Sequence, residues 1–437
     1  MFARMLMLSL LLFAVAPVAP PPETGDVAAA PTRLLAPADS VGDRPGPPAP
    51  AGAPEGEVPQ LPDGYELVRL WPDEDIVSVP VINNRGDVIW SVNYPPFVGD
   101  VYLYSNGMTR RLTDDSAYEL RPWINDNGTA VWMRGPDWNP PFEIITYNGE
   151  SASVLGGAPG VTSEVIIGNG GHIVWDHETD PGSYTHVELW RWNGSFTRIA
   201  DDTLANSGAA VNARGDLAWT AYDFSQSPWI SQIMLCASGT VVQLTSKDEP
   251  RGSVGINDGT VVVWAELGLA RGIALWDGQG VTMPVVGEAS APRTNSHGAL
   301  FYGLWNDELR IWEGRLRVDG VDRLVTPRDR SFATGTLNGR DEAAWRGRDP
   351  SSNAYGIFAL RRIAPRGDFD HDCRVDFRDY QGLQLCFTGP DTGPSGGLLG
   401  DCTRGDFDDD GDIDMEDMQA FENAFTGPGI VVGDCTP

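Results

Sequence analysis

One phrase, an asparagine followed seven positions later by an aromatic residue, recurs through the middle of this 437-residue chain and constrains its fold more than any other feature. It runs from Asn83 to Trp90, Asn125 to Trp132, Asn212 to Trp219, Asn257 to Trp264, Asn295 to Tyr302 and Asn338 to Trp345. Gly168 to Trp175 is a further copy in which the asparagine is replaced. The aromatic positions advance by 42, 43, 44, 45, 38 and 43 residues, which makes seven copies in succession. A unit of that length cannot bury its own apolar face, so it must stack on its neighbours.

Within each copy the elements read as strands. In the first, the turn Asn83-Asn84-Arg85-Gly86 precedes the apolar stretch Val88-Ile89-Trp90. A long connection, the strand Val101 to Tyr104, an Asn106-Gly107 turn and the strand Thr109 to Leu112 follow. Asn-Gly tolerates the positive φ angles of a tight hairpin turn, and it returns at Asn148-Gly149 and Asn193-Gly194. Four short antiparallel strands per copy at this period predict a mainly β fold, a seven-bladed β-propeller over residues 63–364. Tyr65 to Leu70 reads as a fourth strand standing before the first copy, and the seventh copy ends after its third strand, Ile357 to Leu360. The N-terminal strand is therefore expected to complete the last blade and close the ring, which removes open sheet edges. The phrase resembles the TolB-like class of propeller repeats across residues 65–363. Asn-x-x-Gly stands where that class carries Ser-Pro-Asp-Gly, so the resemblance implies a fold and no function.

The flanks differ in composition. Residues 1–22 read as a secretory signal: Arg4 supplies the positive start, and Met5 to Ala16 is an apolar run too short to span a membrane, which takes ~20 residues. Residues 23–62 are rich in Pro, Ala and Gly and read as a linker, because they offer too little apolar surface to offset ordering entropy. A formal net charge of −30 argues against nucleic acid as a partner and for cation binding. The chain is expected to be secreted, extracellular or attached at the cell surface, without a transmembrane anchor.

The segment 365–437 carries the chemistry. Gly367 to Pro390 aligns without gaps to Gly405 to Pro428, with 12 identities over 24 positions. Each half opens with carboxylates at positions 1, 3, 5, 9 and 12 of a calcium-type loop. The first has Asp368, Asp370, Asp372, Asp376 and Asp379; the second has Asp406, Asp408, Asp410, Asp414 and Asp417. Calcium takes six to eight oxygen ligands, and position 7 contributes a backbone carbonyl, here from Arg374 and Asp412. Position 6 needs the sharp turn that Gly411 provides and Cys373 does not, so the first site is expected to be the weaker. Apolar residues at helical spacing follow each loop: Phe377, Tyr380, Leu383 and Phe387, then Met415, Met418, Phe421 and Phe425. Two tandem loop-plus-helix units of this kind resemble type I dockerins, over about 65 residues. The resemblance implies a small α-helical module holding two Ca2+ ions and attaching to a cohesin-like or other surface protein. Loop positions 10 and 11, Phe377, Arg378, Met415 and Glu416, would face that partner.

Four of the five cysteines, Cys373, Cys386, Cys402 and Cys435, fall in the last 65 residues, which reads as a local disulfide framework. Gly400-Asp401-Cys402 and Gly433-Asp434-Cys435 repeat one phrase, and Cys386 closely precedes the first. Pairing Cys386 with Cys402 leaves Cys435 for Cys373. Cys236, at a strand position filled by tyrosine or tryptophan in other copies, reads as a core residue.

No catalytic residues stand out, because His-Glu-x-x-His, Gly-x-Ser-x-Gly and a phosphate-binding glycine loop are all absent. In an up-and-down blade the loops after the second and fourth strands share one rim, and here these are the long ones. Trp138, Tyr184, Tyr222 and Trp229 lie on them, near the acidic pairs Asp114-Asp115, Asp201-Asp202 and Asp248-Glu249. Exposed aromatics beside carboxylates suit a polysaccharide; packing between blades explains the same rings without a ligand. The sequence reading is thus a calcium-binding protein whose dockerin-like module attaches a carbohydrate-binding propeller to a protein partner. The alternative is a polysaccharide lyase or glycoside hydrolase using paired carboxylates on the long-loop face.

Overall fold

The computed structural model describes residues 61, 64–74, 78–94, 98–105, 108–137, 139–180, 182–225, 230–246, 249–327, 329–352, 354–363, 366–369, 374–390, 402, 404–408 and 410–425. The expected signal, most of the linker, Trp138, Trp229, Asp370, Asp372, Cys373 and Cys435 lie outside these residues.

The first strand among the described residues is β1 (Tyr65–Glu74). The first copy supplies β2 (Val81–Ile82), β3 (Val88–Tyr94), β4 (Val98–Ser105) and β5 (Met108–Arg111). The second supplies β6 (Tyr118–Ile124), β7 (Ala130–Gly135), β8 (Glu143–Tyr147) and β9 (Ala152–Val154). The third contains β10 (Val165–Ile167), β11 (Ile173–Glu178), β12 (Val187–Trp192) and β13 (Phe196–Ala200). The fourth contains β14 (Ala205–Val211), β15 (Leu217–Asp223), β16 (Ile230–Ala237) and β17 (Thr240–Gln243). Next come β18 (Arg251–Ile256), β19 (Val262–Glu266), β20 (Gly272–Trp276) and β21 (Val281–Val286). The sixth copy holds β22 (Ala289–Thr294), β23 (Leu300–Asn306), β24 (Ile311–Val318) and β25 (Val321–Leu324). The last has three strands, β26 (Ser331–Leu337), β27 (Ala343–Arg348) and β28 (Tyr355–Arg362).

Within each copy the strands pair antiparallel in sequence order, and β1 lies against β28 from Tyr65 opposite Arg362 to Glu74 opposite Tyr355. Single parallel contacts, Gly99 with Tyr118 and Val187 with Ala205, join the first copy to the second and the third to the fourth. The first strands of successive copies lie side by side, β2 by β6, β6 by β10 and onward to β22 by β26, and β26 returns to lie by β2. Second strands such as β7 and β19 are buried almost throughout, whereas the fourth strand β17 is exposed along its length. The fourth strands thus form the outer edge of the sheets, where Val241 and Val242 stand exposed.

The repeated aromatic residues make the seams. Trp90, Trp132, Trp175, Trp219, Trp264, Tyr302 and Trp345 are 0–1% exposed. Each packs on the preceding copy: Trp132 on Ile89 and Val101, Trp219 on Ile166 and Leu189, Trp264 on Ala218 and Leu235. In the same way Trp90 of the first copy packs with Ala344, Ile357 and Ala359 of the last. Cys236 is buried beside Trp219, with no disulfide.

The repeated asparagine does more than turn the chain. Asn83 Oδ1 accepts the backbone N–H groups of Arg85 and Asp87, capping its own turn. Its Nδ2 donates to the carbonyl oxygen of Asn125, one copy on, at 3.1 Å. Asn212 donates likewise to Asn257, Asn257 to Asn295, Asn295 to Asn338, and Asn338 back to Asn83 at 2.9 Å. Aspartate could accept in the turn but could not donate across the seam, so the amide explains the residue type. Asn125 reaches Gly168 O, and the series breaks there. A Cβ at Gly168 would lie 2.9 Å from Asn212 O, too close for any side chain.

The C-terminal residues form α1 (Phe377–Cys386) and α2 (Met415–Ala424). Phe369, Val375, Leu383, Ile413 and Phe421 fill the space between them. Cys386 is disulfide-bonded to Cys402, with Cα atoms 5.3 Å apart. Arg404 ties this module to the sheets through Glu66 of β1 at 2.9 Å, and Glu66 also accepts from Arg361 of β28. No helix among the described residues is long and apolar enough to cross a membrane.

Candidate functional site

The first strands of successive copies lie side by side, and one level along them carries two charged residues. Four positions before the repeated asparagine stand Val79, Arg121, Glu164, Gly208, Ser253, Ala291 and Thr334. Pairing with the second strand skips at this point in β6, β14, β18 and β22, and Arg121, Gly208, Ser253 and Ala291 have φ between 47° and 63°. A bulge of this kind swings a side chain out of the face that packs against the neighbouring sheet.

Arg121 is exposed, and its Nη1 donates to Ser163 O at 2.6 Å. Glu164 is half-buried next to that carbonyl, on backbone held by Asp176, which accepts from the N–H groups of Ser163 and Glu164. Burial pushes the Glu164 carboxyl up, Arg121 and Arg293 draw it down, and Asp176 adds to the rise. Arg293, two residues before Asn295, is lowered by burial and supported by Glu164. Arg346 of β27 lies 4.7 Å from the ring centre of Tyr355; burial lowers it, Tyr355 opposes that fall, and Arg121 adds to it. Glu164 thus lies within electrostatic reach of Arg121, Arg293 and Asp176, and Arg346 within reach of Arg121.

The tight-turn end of these strands carries carboxylates. Backbone N–H groups donate to side chains one copy on: Gly339 to Asn84, Asn84 to Asp126, Asp126 to Asn169 and Ala213 to Asp258. Burial raises the Asp126 carboxyl, hydrogen bonds from Asn84 oppose the rise, and Asp258 adds to it.

The aromatic residues expected to bind a polysaccharide do not form a platform among the described residues. Tyr222 stacks on Phe224 with ring centres 5.8 Å apart, and burial pushes its hydroxyl up to about 12. Tyr184 stands half exposed in a different copy, at φ 54°, with its N–H donating to Glu178. The carboxylates of the long-loop side have partners of their own: Asp201 accepts from Thr203 and Asp202 from Thr179, and others meet arginines. Asp115 meets Arg134 at 2.5 Å, Asp100 meets Arg111 at 2.8 Å, and buried Glu119 lies 3.5 Å from Arg134.

All five carboxylate positions of the second acidic loop lie among the described residues, though residue 409 between them does not. Ligand oxygens of Asp406, Asp408 and Asp410 lie within 4.8 Å of one another, as do those of Asp412, Asp414 and Asp417. Gly411 has φ 92°, a turn that a side chain would strain. Asp417 accepts from Phe407 N and Asp414 N, closing the loop onto the first turn of α2. Asp379 does the same for the first half, accepting from Phe369 N and Asp376 N. Asp368 is buried, and Arg374 and Asp376 stand at the mouth of α1. Phe377 and Met415 are 79% and 68% exposed beside Arg378 and Glu416, and Phe377 packs edge-on to Phe425 at 4.9 Å.

At the sequence level no family model and no curated relative matches the chain. Solved structures do resemble it. The β-propeller domain of the trilobed protease from Pyrococcus furiosus matches at TM-score 0.51 and 10% identity, over 66% of this chain and 97% of that domain. A puromycin hydrolase matches at 0.52 and 11%, over 66% of this chain and 53% of its own length. The acylaminoacyl peptidase of Pyrococcus horikoshii matches at 0.50 and 9%, over 66% and 52%. The chain thus spans about half the length of these whole enzymes. These neighbours overturn the expected carbohydrate binder held by a dockerin-like module, and with it the polysaccharide-degrading alternative. They are peptidase propellers, and the rings that were to form a sugar platform stack on neighbours or stand apart. The chain has a β-propeller fold of the kind that peptidases carry, followed by a small helical module with acidic clusters.

Proposed function

We propose that this is a non-hydrolytic polypeptide-binding protein. In this reading a seven-bladed propeller admits part of a polypeptide along its axis, and a calcium-loaded C-terminal module steadies the fold. The observation that carries it is the charged level, Arg121 beside Glu164, in the first strands of a fold whose neighbours are peptidase propellers matched over nearly a whole isolated domain. Closure of the ring is supported by the pairing of β1 with β28 and by the Asn338 to Asn83 bond. The Pyrococcus furiosus domain, in contrast, has an open Velcro topology.

The acidic loop suits a hard cation with oxygen ligands. Asp406, Asp408, Asp410, Asp414 and Asp417, with the Asp412 carbonyl, would hold it, and Gly411 supplies the turn. A bound ion would offset the mutual repulsion of these carboxylates and so order α2. Two experiments test the proposal. Labelled, unstructured peptides should bind the full chain at micromolar concentration and be recovered uncut; absence of binding, or cleavage of the peptide, would overturn it. Calorimetry of the full chain with CaCl2 should show binding that Asp406→Ala weakens at least tenfold; an unchanged isotherm would remove calcium from the account.

A further inference from the structure

The arginines that hold the entrance of the second acidic loop also fasten the C-terminal module to β1. Resting on the reading that a cation fills this loop, we propose that its occupancy latches the first residues of β1 onto β28, through Arg366, Arg404 and Glu66.

The contacts form one path. At the first position of the loop, the Asp406 carboxylate accepts the N–H groups of Asp410 and Gly411. The carbonyl oxygens of Asp406 and Phe407 accept from Arg366 Nη1 at 2.9 and 2.7 Å. Gly367 N donates to Arg404 O at 3.0 Å, so the chain that follows β28 runs against the chain that enters the loop. Arg404 Nη2 lies 2.9 Å from Glu66 Oε1, and Arg361 Nη2 reaches the same oxygen at 3.1 Å. Arg361 stands opposite Glu66 in the pairing of β28 with β1, and its Nη1 donates to the Tyr104 hydroxyl of β4 at 2.8 Å. Steps of hydrogen-bond length thus lead from the loop to the edge strand and on into the first copy.

Burial gives the path weight. The side chains of Arg361 and Arg404 are 5% and 11% exposed, and that of Glu66 is 35% exposed. A carboxylate shared by two guanidinium groups in that setting is screened less than a pair on the open surface.

The start of β1 is where such a tie matters. β1 lies at the edge of its sheet, and no hairpin joins it to β28. Its register with β28 shifts between Arg69 and Trp71 and again before Glu74, which leaves a regular ladder from Tyr65 to Arg69. A short ladder opens locally from its end at far less cost than global unfolding, and Glu66 is the second residue of that end.

The loop supplies the switch. Carboxylate oxygens of Asp406, Asp408 and Asp410 lie within 4.8 Å of one another, and like charges at that spacing repel unless a cation offsets them. Repulsion spreads the very backbone whose carbonyls Arg366 holds, and Arg404 stands two residues before Asp406. An ordered loop therefore sets Arg404 against Glu66. By linkage, the contact with Glu66 must favour cation binding by the same factor.

The test uses the full chain in CaCl2 or in chelator, with two readouts: calcium affinity by calorimetry and hydrogen exchange of the amides of residues 65–69. Calcium should slow that exchange at least fivefold in the unaltered chain and leave it unchanged in Arg404→Gln. Glu66→Ala, a change in β1 outside the loop, should weaken calcium binding about threefold or more. Arg404→Gln should weaken it likewise, whereas loss of a positive charge beside an acidic loop would by itself tighten it. The double variant should bind calcium no more weakly than either single one, because both remove the same contact. Additive losses would mean two independent effects and overturn the latch. Calcium affinity unchanged in Glu66→Ala, with exchange at 65–69 indifferent to calcium, would overturn it while leaving the calcium reading in place. Absence of calcium binding to the unaltered chain would overturn both.

Discussion

The sheets are joined by an apolar seam that recurs from copy to copy, whereas the C-terminal module has one core, set between two ten-residue helices. The sheets spread their stability over Trp90, Trp132, Trp175, Trp219, Trp264, Tyr302 and Trp345 and over backbone pairing in every copy. The module depends on a few contacts: Phe369, Leu383, Ile413 and Phe421, the Cys386–Cys402 bridge, and loops crowded with carboxylates. A small domain buries too little surface to hold itself by packing alone, and it relies on staples or ions. The contrast teaches that damage should be absorbed in one part and decisive in the other.

Four measurements break or sharpen this contrast. Trp345→Ala should cost the propeller about 3–5 kcal/mol, because a fully buried indole is removed from a seam that also holds Phe301 and Phe358. In a melt followed by calorimetry the propeller transition should fall and the module transition stay; movement of both would mean one cooperative unit. Replacing Cys386 and Cys402 by serine should do the reverse. It removes a bridge of sequence separation 16, worth ~3 kcal/mol, and lowers the module transition only.

The third measurement is a pH series. Burial holds the Glu119 carboxyl up at about 8, with Arg134 opposing and Asp115 and Asp100 reinforcing the rise. A carboxyl whose folded pKa lies above its unfolded value keeps its proton preferentially in the folded state. Its contribution is therefore full below the unfolded value, near 4.5, and is lost as pH rises through about 8. Glu119→Gln should stabilise the propeller by on the order of 1–2 kcal/mol at pH 9 and have little effect at pH 4. An equal shift at both values would show that Glu119 acts through packing. The smallest effect belongs to Asn257→Asp, which deletes the donor to Asn295 O and should cost about 1 kcal/mol at neutral pH. No change would mean that the amide bond across the seam contributes nothing.

Much of the fold was legible because apolar period and turn chemistry are local signals. The aromatic of each phrase falls on a second strand, and Tyr65 to Leu70 lies within β1, opposite β28. The role of the asparagines was only half legible: a turn former is recognised locally, but its bond to the next copy joins residues 38 or more positions apart. Arg121 left no pattern at all. It stands on a level that otherwise reads Val79, Glu164, Gly208, Ser253, Ala291, Thr334, so the repeat conceals it. Aligning the copies on the asparagine and noting charges on a first strand would have found it. The aromatic rim misled because exposure cannot be read from residue type, as the stacked pair Tyr222 and Phe224 demonstrates.

The asparagine amides all point the same way round, each giving to the copy ahead and receiving from the copy behind. Such a circle has no first member. The place where the polypeptide happens to start and finish is bridged by Asn338 and Asn83 like any other joint, and the missing link lies elsewhere, at Gly168, where no side chain exists to reach Asn212. Where the molecule is cut by its ends and where its amide circle is cut are therefore different places. A circular permutant with new ends between Ala200 and Ala205, where the third copy passes to the fourth, would keep every one of these amide bonds.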